Sequence, residues 1–357
     1  PVASRPAAAQ SGPGPQGADT TMTDTAPTDA AAPRQAGTFC FRLDGRGGGE
    51  PLDQQAFAAL EFDPDDRGFA WQQLRRDDPG TRSLLAALGL DELVIDALVA
   101  EETRPRCTVH GDGAILNLRG VNLQPGAEPE DMISVRLWLT ERRVVGLSRR
   151  HSHAIEDIEA ALLRGQGPVS PGDFVAKLAL RLADRAEPAV GELTDLMDDL
   201  EEAALESDAA GLRPRLSAAR RRAIILRRYL VPQREALTTL EIEDLPWLRP
   251  ADRARLREAA DRVLLLGEEL DAVRDRAQVV HDQLIDQRAD SLNRRMLLLA
   301  VVTVVFLPPS LLTGLLGINV GGIPGADSAV AFWSVVALLA AVGGGAFLVF
   351  RWLGFFR

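Results

Sequence analysis

Lysine is almost missing from this chain: Lys177 is its only one, although 40 of the 357 residues are lysine or arginine. Positive charge is therefore arginine charge, and 51 acids outnumber it, leaving a formal net charge of −11. So acidic a chain is a poor nucleic-acid binder, whereas it can gather cations at its surface. Cysteine is scarce as well. Cys40 and Cys107 stand outside any Cys-x-x-Cys motif and are too few for a disulfide scaffold, so a reduced cytoplasmic setting is expected for the part that carries them. No secretory-signal pattern is visible. Nor is there a phosphate loop, a nucleophile elbow or a recognisable pair of catalytic carboxylates, which argues against an enzyme. Charge is absent from Met296–Leu316 and Ala329–Phe350, runs of 21 and 22 residues near the C-terminus. Each can cross the hydrocarbon core of a bilayer.

Residues 1–36, rich in Ala, Pro, Gly, Thr and Gln, read as a disordered segment, with Met22 a candidate native start. A cytoplasmic α/β domain is expected over 37–185. Gly37–Leu43 has the pattern of a strand ended by Asp44-Gly45, and Arg82–Glu101 that of a helix split by Gly89 and Asp91. Cys107–His110 and Ala114–Leu118 flank Gly111-Asp112-Gly113, where Asp-Gly signals a hairpin. Ile133–Leu139 alternates apolar residues and turns at Thr140-Glu141-Arg142 into Arg143–Leu147. These segments make at least five strands.

From about Ser152 the pattern is helical, and an antiparallel helical pair is expected over 186–248. Ala189–Glu206 carries Glu192, Asp195, Asp198, Asp199, Glu201, Glu202 and Glu206 and no base. The following segment reverses this, with eight arginines from Arg213 to Arg234 before any acid. Two readings stand: the helices pair through these faces, or the acids, Glu192, Asp195, Asp198, Asp199 and Glu202 foremost, face an aqueous cation path. Pro246 and Pro250 then mark a boundary, and no proline follows until Pro308. In this stretch Leu256, Val263, Leu270, Ala277 and Leu284 recur every seventh residue, with Leu266, Val273 and Val280 offset by three. That is an a/d seam. It predicts a stalk helix over 249–295 running on into a span at 296–316, roughly 100 Å in all at about 1.5 Å per residue. Such a rod needs neighbours, from other domains or from other copies of itself.

The second span is expected over 329–353, after a short loop over 317–328. Arg288, Arg294 and Arg295 precede the first span, Arg351 and Arg357 follow the second, and the loop holds only Asp327. The positive-inside rule then makes both ends cytoplasmic and the loop external. Trp333 and Trp352 fit interfacial positions. Two helices cannot enclose an aqueous path, so a pore requires a ring of copies. Gly343-Gly344-Gly345 permits close helix approach, and Pro308-Pro309 weakens the first span's hydrogen bonding at mid-depth.

The residues around this hairpin carry a resemblance. Phe306-Leu307-Pro308-Pro309-Ser310, Leu316-Gly317-Ile318-Asn319 and Gly322-Ile323-Pro324-Gly325 resemble the C-terminal hairpin of the CorA-type metal ion transporters, with Gly-Ile-Asn where most members carry Gly-Met-Asn. The run Gly-Ile-Asn-Val-Gly-Gly-Ile-Pro-Gly looks like the zinc-transporter branch, ZntB. Glu102-Thr103-Arg104-Pro105-Arg106, the stretch from Arg119 to Met132 and Leu245-Pro246-Trp247-Leu248 extend the similarity from about Gly37 to the C-terminus. The resemblance implies an α+β membrane protein: a homopentamer with a cytoplasmic α/β funnel and a long stalk helix continuing into the first of two C-terminal transmembrane helices, which lines the pore. It implies a selectivity filter at Gly317, Ile318 and Asn319, the ring of amides offering oxygen dipoles to a hydrated cation. Asn293, Met296, Leu299, Leu307 and Ser310 match further pore-facing positions. Leu307 stands where many members have methionine and Ser310 where they have threonine.

The function so implied is divalent cation transport across the inner membrane, with zinc uptake stimulated by a proton gradient as the reading of the zinc branch. Alternatives are a magnesium, cobalt or nickel channel and a membrane-anchored scaffold or sensor. No bound cofactor is expected, the cation being cargo, and the expected partners are lipid and further copies of the chain. His151-x-His153, with Glu156 and Asp157 nearby, is the one spacing that invites a metal; no site is assigned to it. Neither span holds an ionisable residue, so a proton relay within the membrane lacks its usual groups.

Overall fold

Alternating burial builds the first half of the fold. The computed structural model describes residues 38–101, 104–206, 211–318, 325 and 328–352. Strands β1 (Phe39–Leu43), β2 (Gly49–Leu52), β3 (Phe69–Arg75), β4 (Arg106–His110), β5 (Gly113–Gly120), β6 (Ile133–Leu139) and β7 (Arg143–Ser148) form one seven-stranded sheet in the order β2-β1-β3-β7-β6-β5-β4. Only β3 and β7 run parallel. Successive side chains point to opposite faces, so Phe41, Trp71, Leu116 and Leu137 enter one core while Cys40, Ala70, Ile115 and Val145 enter another. The second core is closed by α1 (Gln54–Ala58), α2 (Thr81–Ala87) and α3 (Glu92–Val99), through Phe57, Leu85, Val94, Ile95 and Leu98.

The five expected strands are present, and two more join them. β3 is the central addition. Its sequence, Phe-Ala-Trp-Gln-Gln-Leu-Arg, does not alternate, because β3 is covered on both faces and buries Gln72 and Gln73. The expected helix over Arg82–Glu101 is two helices, separated as anticipated: Gly89 takes φ +72°, and the Asp91 carboxylate accepts the Leu93 amide at 2.9 Å. The β4–β5 hairpin corrects the expectation in detail. His110 pairs with Gly113, so the two-residue loop is Gly111-Asp112, with Gly111 at φ +57°. Gly113 serves packing instead: a Cβ there would meet the Trp138 ring at 2.4 Å.

The first core is closed by helices: α4 (His153–Leu163), α5 (Pro171–Glu206), α6 (Leu212–Ile242) and α7 (Pro250–Leu316). The expected domain edge at 185/186 falls inside α5, which runs unbroken from sheet to stalk. α6 is tied to the sheet by the Gln233 carbonyl oxygen, which accepts the Arg119 amide at 2.6 Å. The tip of the hairpin is tied to the α6–α7 turn, where Trp247 Nε1 donates to the Asp112 carbonyl at 2.9 Å. α7 starts at Pro250, whose missing N–H is harmless at a first helical position. It is anchored at once: the Ser170 hydroxyl donates to the buried Asp252 carboxylate at 3.0 Å, and Arg255 pairs with buried Asp173. α8 (Ala331–Trp352) completes the described chain. The expectations of disorder over residues 1–36 and of a filter at Asn319 lie outside the described residues, as does the loop acid Asp327.

Candidate ion pathway

α7 changes character at Leu284. Up to that point its heptad residues, from Leu256 to Leu284 and from Leu266 to Val280, are all buried, in one cluster with Leu193 and Met197 of α5 and Leu226 and Leu230 of α6. The seam therefore joins α7 to its own chain. As a reason for copies to assemble it is corrected: α5 and α6 lie alongside and use the apolar face inside each protomer. The 67-residue helix finds its neighbours there.

Just beyond Leu284, Gln287 Nε2 still donates to the Ala204 carbonyl of α5 at 3.4 Å; after that, among the described residues, α7 is covered by α8. The half-buried Leu297, Val301, Val305, Pro308 and Leu312 of α7 and Ala331, Val335, Leu339, Val342 and Ala346 of α8 form the contact stripes. Asn293, Met296, Leu299, Leu307 and Ser310 lie on the opposite side. At about 100° per residue they fall within roughly a third of the circumference, and they span roughly 26 Å of axis at about 1.5 Å per residue. All five are exposed in the protomer, Met296 at 61%, Leu299 at 64% and Leu307 at 59%. The same stripe takes in Thr303, whose hydroxyl donates back to the Leu299 carbonyl at 2.8 Å. Continued toward the soluble part, it takes in exposed Asp286, Asp282 and Asp275, on the side of α7 facing away from the buried seam. Reading the sequence missed these four. For the three acids a signal was available: they recur at spacings of seven and four along the continuation of this stripe.

α7 runs through Pro308-Pro309 without a break. Proline has no amide to give the carbonyls one turn back, so the helix is under-bonded at this depth. The Thr313 hydroxyl bonds the Pro309 and Ser310 carbonyls, each at 3.0 Å. Gly317 ends the helix with φ −89°, its amide donating to the Thr313 carbonyl at 2.9 Å, and Ile318 follows half exposed. The Gly317-Ile318-Asn319 motif thus begins on the residue that caps α7, at the end of the stripe. Asn319 itself is outside the described residues.

The acids of α5 divide. Asp198 and Glu201 reach Arg276 of α7, the Arg276 Nε donating to Glu201 at 2.8 Å. The two carboxylates raise the Arg276 pKa further above its ordinary value. Glu192, Asp195, Asp199 and Glu202 share an exposed face with no ion pair among the described residues. The pairing of α5 with α6 through their charges is corrected. Among the described residues no ion pair joins these helices. Arg227 of α6 pairs with Asp271 of α7 at 2.6 Å, and Arg222 with Glu130 at 3.2 Å. α7 takes the charges of both neighbours because it packs against both.

At the start of α4, His151 Nε2 lies 2.7 Å and His153 Nδ1 2.8 Å from the two oxygens of Glu156. Burial alone would raise the Glu156 carboxyl. The hydrogen bonds from His153 and His151 outweigh it and hold the pKa below the ordinary value. Two imidazoles and a carboxylate are a donor set zinc accepts, but hydrogen bonds already satisfy this trio. Asp157 is committed elsewhere, accepting two bonds from Arg185 at 2.7 Å. His110 faces Asp91 at 3.2 Å.

A family model described as CorA-like Mg2+ transporter protein matches residues 66–351. The divalent cation transporter CmaX of Pseudomonas aeruginosa is 38% identical over 88% of this chain and 95% of its own length. The zinc transport protein ZntB of Pectobacterium atrosepticum is 34% identical over 85% of this chain and 91% of its own. The solved full-length structure of CmaX superposes with a TM-score of 0.77 at 36% identity, covering 91% of this chain and 99% of that one. These relatives are named as transporters, not enzymes, and share the chain nearly end to end. With its two candidate membrane spans and the sheet, stalk and hairpin they share, the chain belongs to the CorA-like family of metal ion transporters.

Proposed function

We propose that the chain carries a divalent cation, zinc foremost, across a membrane through a homopentameric pore lined by α7, with both termini cytoplasmic. The observation that carries this reading is the uncovered stripe of α7, continuous from three exposed acids through an uncharged span to the helix cap at Gly317. Asp275, Asp282 and Asp286, repeated around a ring, concentrate cations at the inner entrance. Met296, Leu299 and Leu307 form apolar rings that close the path by excluding water. Ser310 and the Gly317-Ile318-Asn319 filter then present neutral oxygen dipoles to a hydrated ion. The exposed acids of α5 (Glu192, Asp195, Asp199 and Glu202) add to the field outside the stalk. Zinc is favoured by the relatives named for zinc transport. Because no ionisable side chain lies within either span, stimulation by a proton gradient acts through titration of cytoplasmic groups.

Zinc flux into liposomes through the full chain, wild type against Asn319→Ala, tests the reading. Flux in the wild type that the variant loses supports the filter. No flux in either refutes transport and leaves a membrane-anchored scaffold. Zinc flux unchanged after an imposed pH gradient is collapsed removes the proton's role. A second reading keeps the pore but gives it magnesium, cobalt or nickel. It is favoured by the oxygen donors of the stripe, since magnesium takes oxygen ligands and keeps its waters. Competition by each metal against zinc flux separates the two.

A further inference from the structure

Away from the stripe, the soluble part holds a cavity of about 600 Å³ beside the ends of β3, β6 and β7 and one face of α6. Seven of its sixteen lining residues are arginine, against three acids. Two of those acids are already engaged: Asp131 with Arg150 at 3.2 Å, and Glu130 with Arg222, outside the cavity, at 3.2 Å. Among the described residues Arg76, Arg136, Arg149 and Arg228 form no ion pair, within a chain that is acidic overall.

Arg136 is the least ordinary of them. It is 1% exposed, and its guanidinium donates to the carbonyls of Leu98 (2.7 Å), Ala100 and Glu101 (3.4 Å) and to the Ser134 hydroxyl (3.3 Å from Nε). Arg76 donates beside it to the carbonyls of Ala100 (2.6 Å) and Glu101 (2.8 Å). Among the described residues neither meets a carboxylate. Burial, and then the charges of Arg76, Arg119 and Arg106, lower the Arg136 pKa to about 10. Fixing the end of α3 accounts for the bonds of Arg136. It does not account for Arg149 and Arg228, which approach the same space from the end of β7 and from α6 and stand exposed. Nor does it account for Tyr229, whose ring carries Arg119 at 4.9 Å and Arg228 at 5.9 Å.

We propose that this cavity binds a small molecule bearing two or more phosphate groups, of the size of a nucleoside diphosphate. Guanidinium groups present planar donor forks that match phosphate oxygens in pairs. Here they converge from separate elements, as successive phosphates require and a single carboxylate does not. The volume lies in the range of small-ligand sites, about 300–1,000 Å³. An anion inside relieves the repulsion between buried Arg136 and the half-buried Arg76 and Arg119 beside it, so binding is strengthened by a charge arrangement the fold already maintains. The proposal is independent of transport.

The test is calorimetric titration of the full chain in detergent, in EDTA-containing buffer, with ADP, inorganic tripolyphosphate and adenosine. ADP and tripolyphosphate bind, adenosine does not, and affinity falls as salt rises. Arg149→Gln/Arg228→Gln, both at exposed positions, weakens ADP binding by about tenfold or more with an unchanged thermal midpoint. ADP binding tighter than tripolyphosphate assigns the base a place in the cavity; equal binding assigns the site to the phosphates alone. Absence of heat with both phosphates, or ADP affinity unchanged in the double variant, overturns the proposal. The first of those results is also the one expected if another copy of the chain fills the cavity.

Discussion

Leu270 and Leu299 sit on one helix about 44 Å apart at about 1.5 Å per residue, and the same substitution should do opposite things to them. Leu270 is completely buried between α7 and its neighbours, whereas Leu299 is 64% exposed. Leu270→Ala removes methyl groups from a packed cluster and leaves a cavity, a change worth about 2–5 kcal/mol. At about 2–4 °C per kcal/mol, the thermal midpoint in detergent falls by on the order of 10 °C. Leu299→Ala removes little buried surface within the protomer, so the midpoint barely moves. It widens the inferred apolar ring, and metal flux into dye-loaded liposomes rises. Size-exclusion chromatography with light scattering completes the assay. If Leu270→Ala leaves the midpoint unchanged but breaks the assembly into monomers, the heptad is a seam between copies and the division of α7 at Leu284 is wrong.

Three further outcomes follow from named groups. Asp275→Asn/Asp282→Asn/Asp286→Asn lowers cation flux several-fold at low ionic strength and flattens its dependence on salt; flux equal to wild type at every salt concentration removes these acids from the entrance. Burial pushes the Cys40 thiol up to about 11 and the Cys107 thiol up to about 12, so iodoacetamide at pH 7.5 labels neither in the folded protein and both after denaturation. Glu156, held below its ordinary pKa, contributes stability that is present above the unfolded-state value of about 4.3 and lost as pH falls through the folded value. Wild type therefore exceeds Glu156→Gln in urea stability at pH 7, and the difference shrinks as pH falls below the unfolded-state value; a difference that does not shrink with acid contradicts the assignment.

Much of this protein is written locally. Absence of charge over two runs of bilayer length makes membrane spans of Met296–Leu316 and Ala329–Phe350, because hydrocarbon tolerates little else. Gly89 and Asp91 punctuate α2 and α3 through backbone preferences that need no distant partner. The helical character of α7 before Pro308 follows from proline-free periodicity. The central strand β3 was hidden because a strand buried on both faces loses the alternation by which strands are read, and its glutamines find their place only between neighbours remote in sequence.

The sequence alone determined the membrane hairpin, the long helix and the position of the Gly-Ile-Asn motif at its end, since each rests on composition and spacing within one segment. Tertiary structure alone decided which partner each face of that helix meets. A heptad specifies an apolar seam but not whose side chains fill it; α5 and α6 fill it here, leaving the opposite face free. An acidic helix followed by a basic one suggests mutual pairing; α7 packs against both and takes their charges instead. The arginine cavity belongs wholly to this second kind. Its residues come from β5, β6, the ends of β3 and β7, and α6, and only the packing of α6 beside the sheet makes them one site.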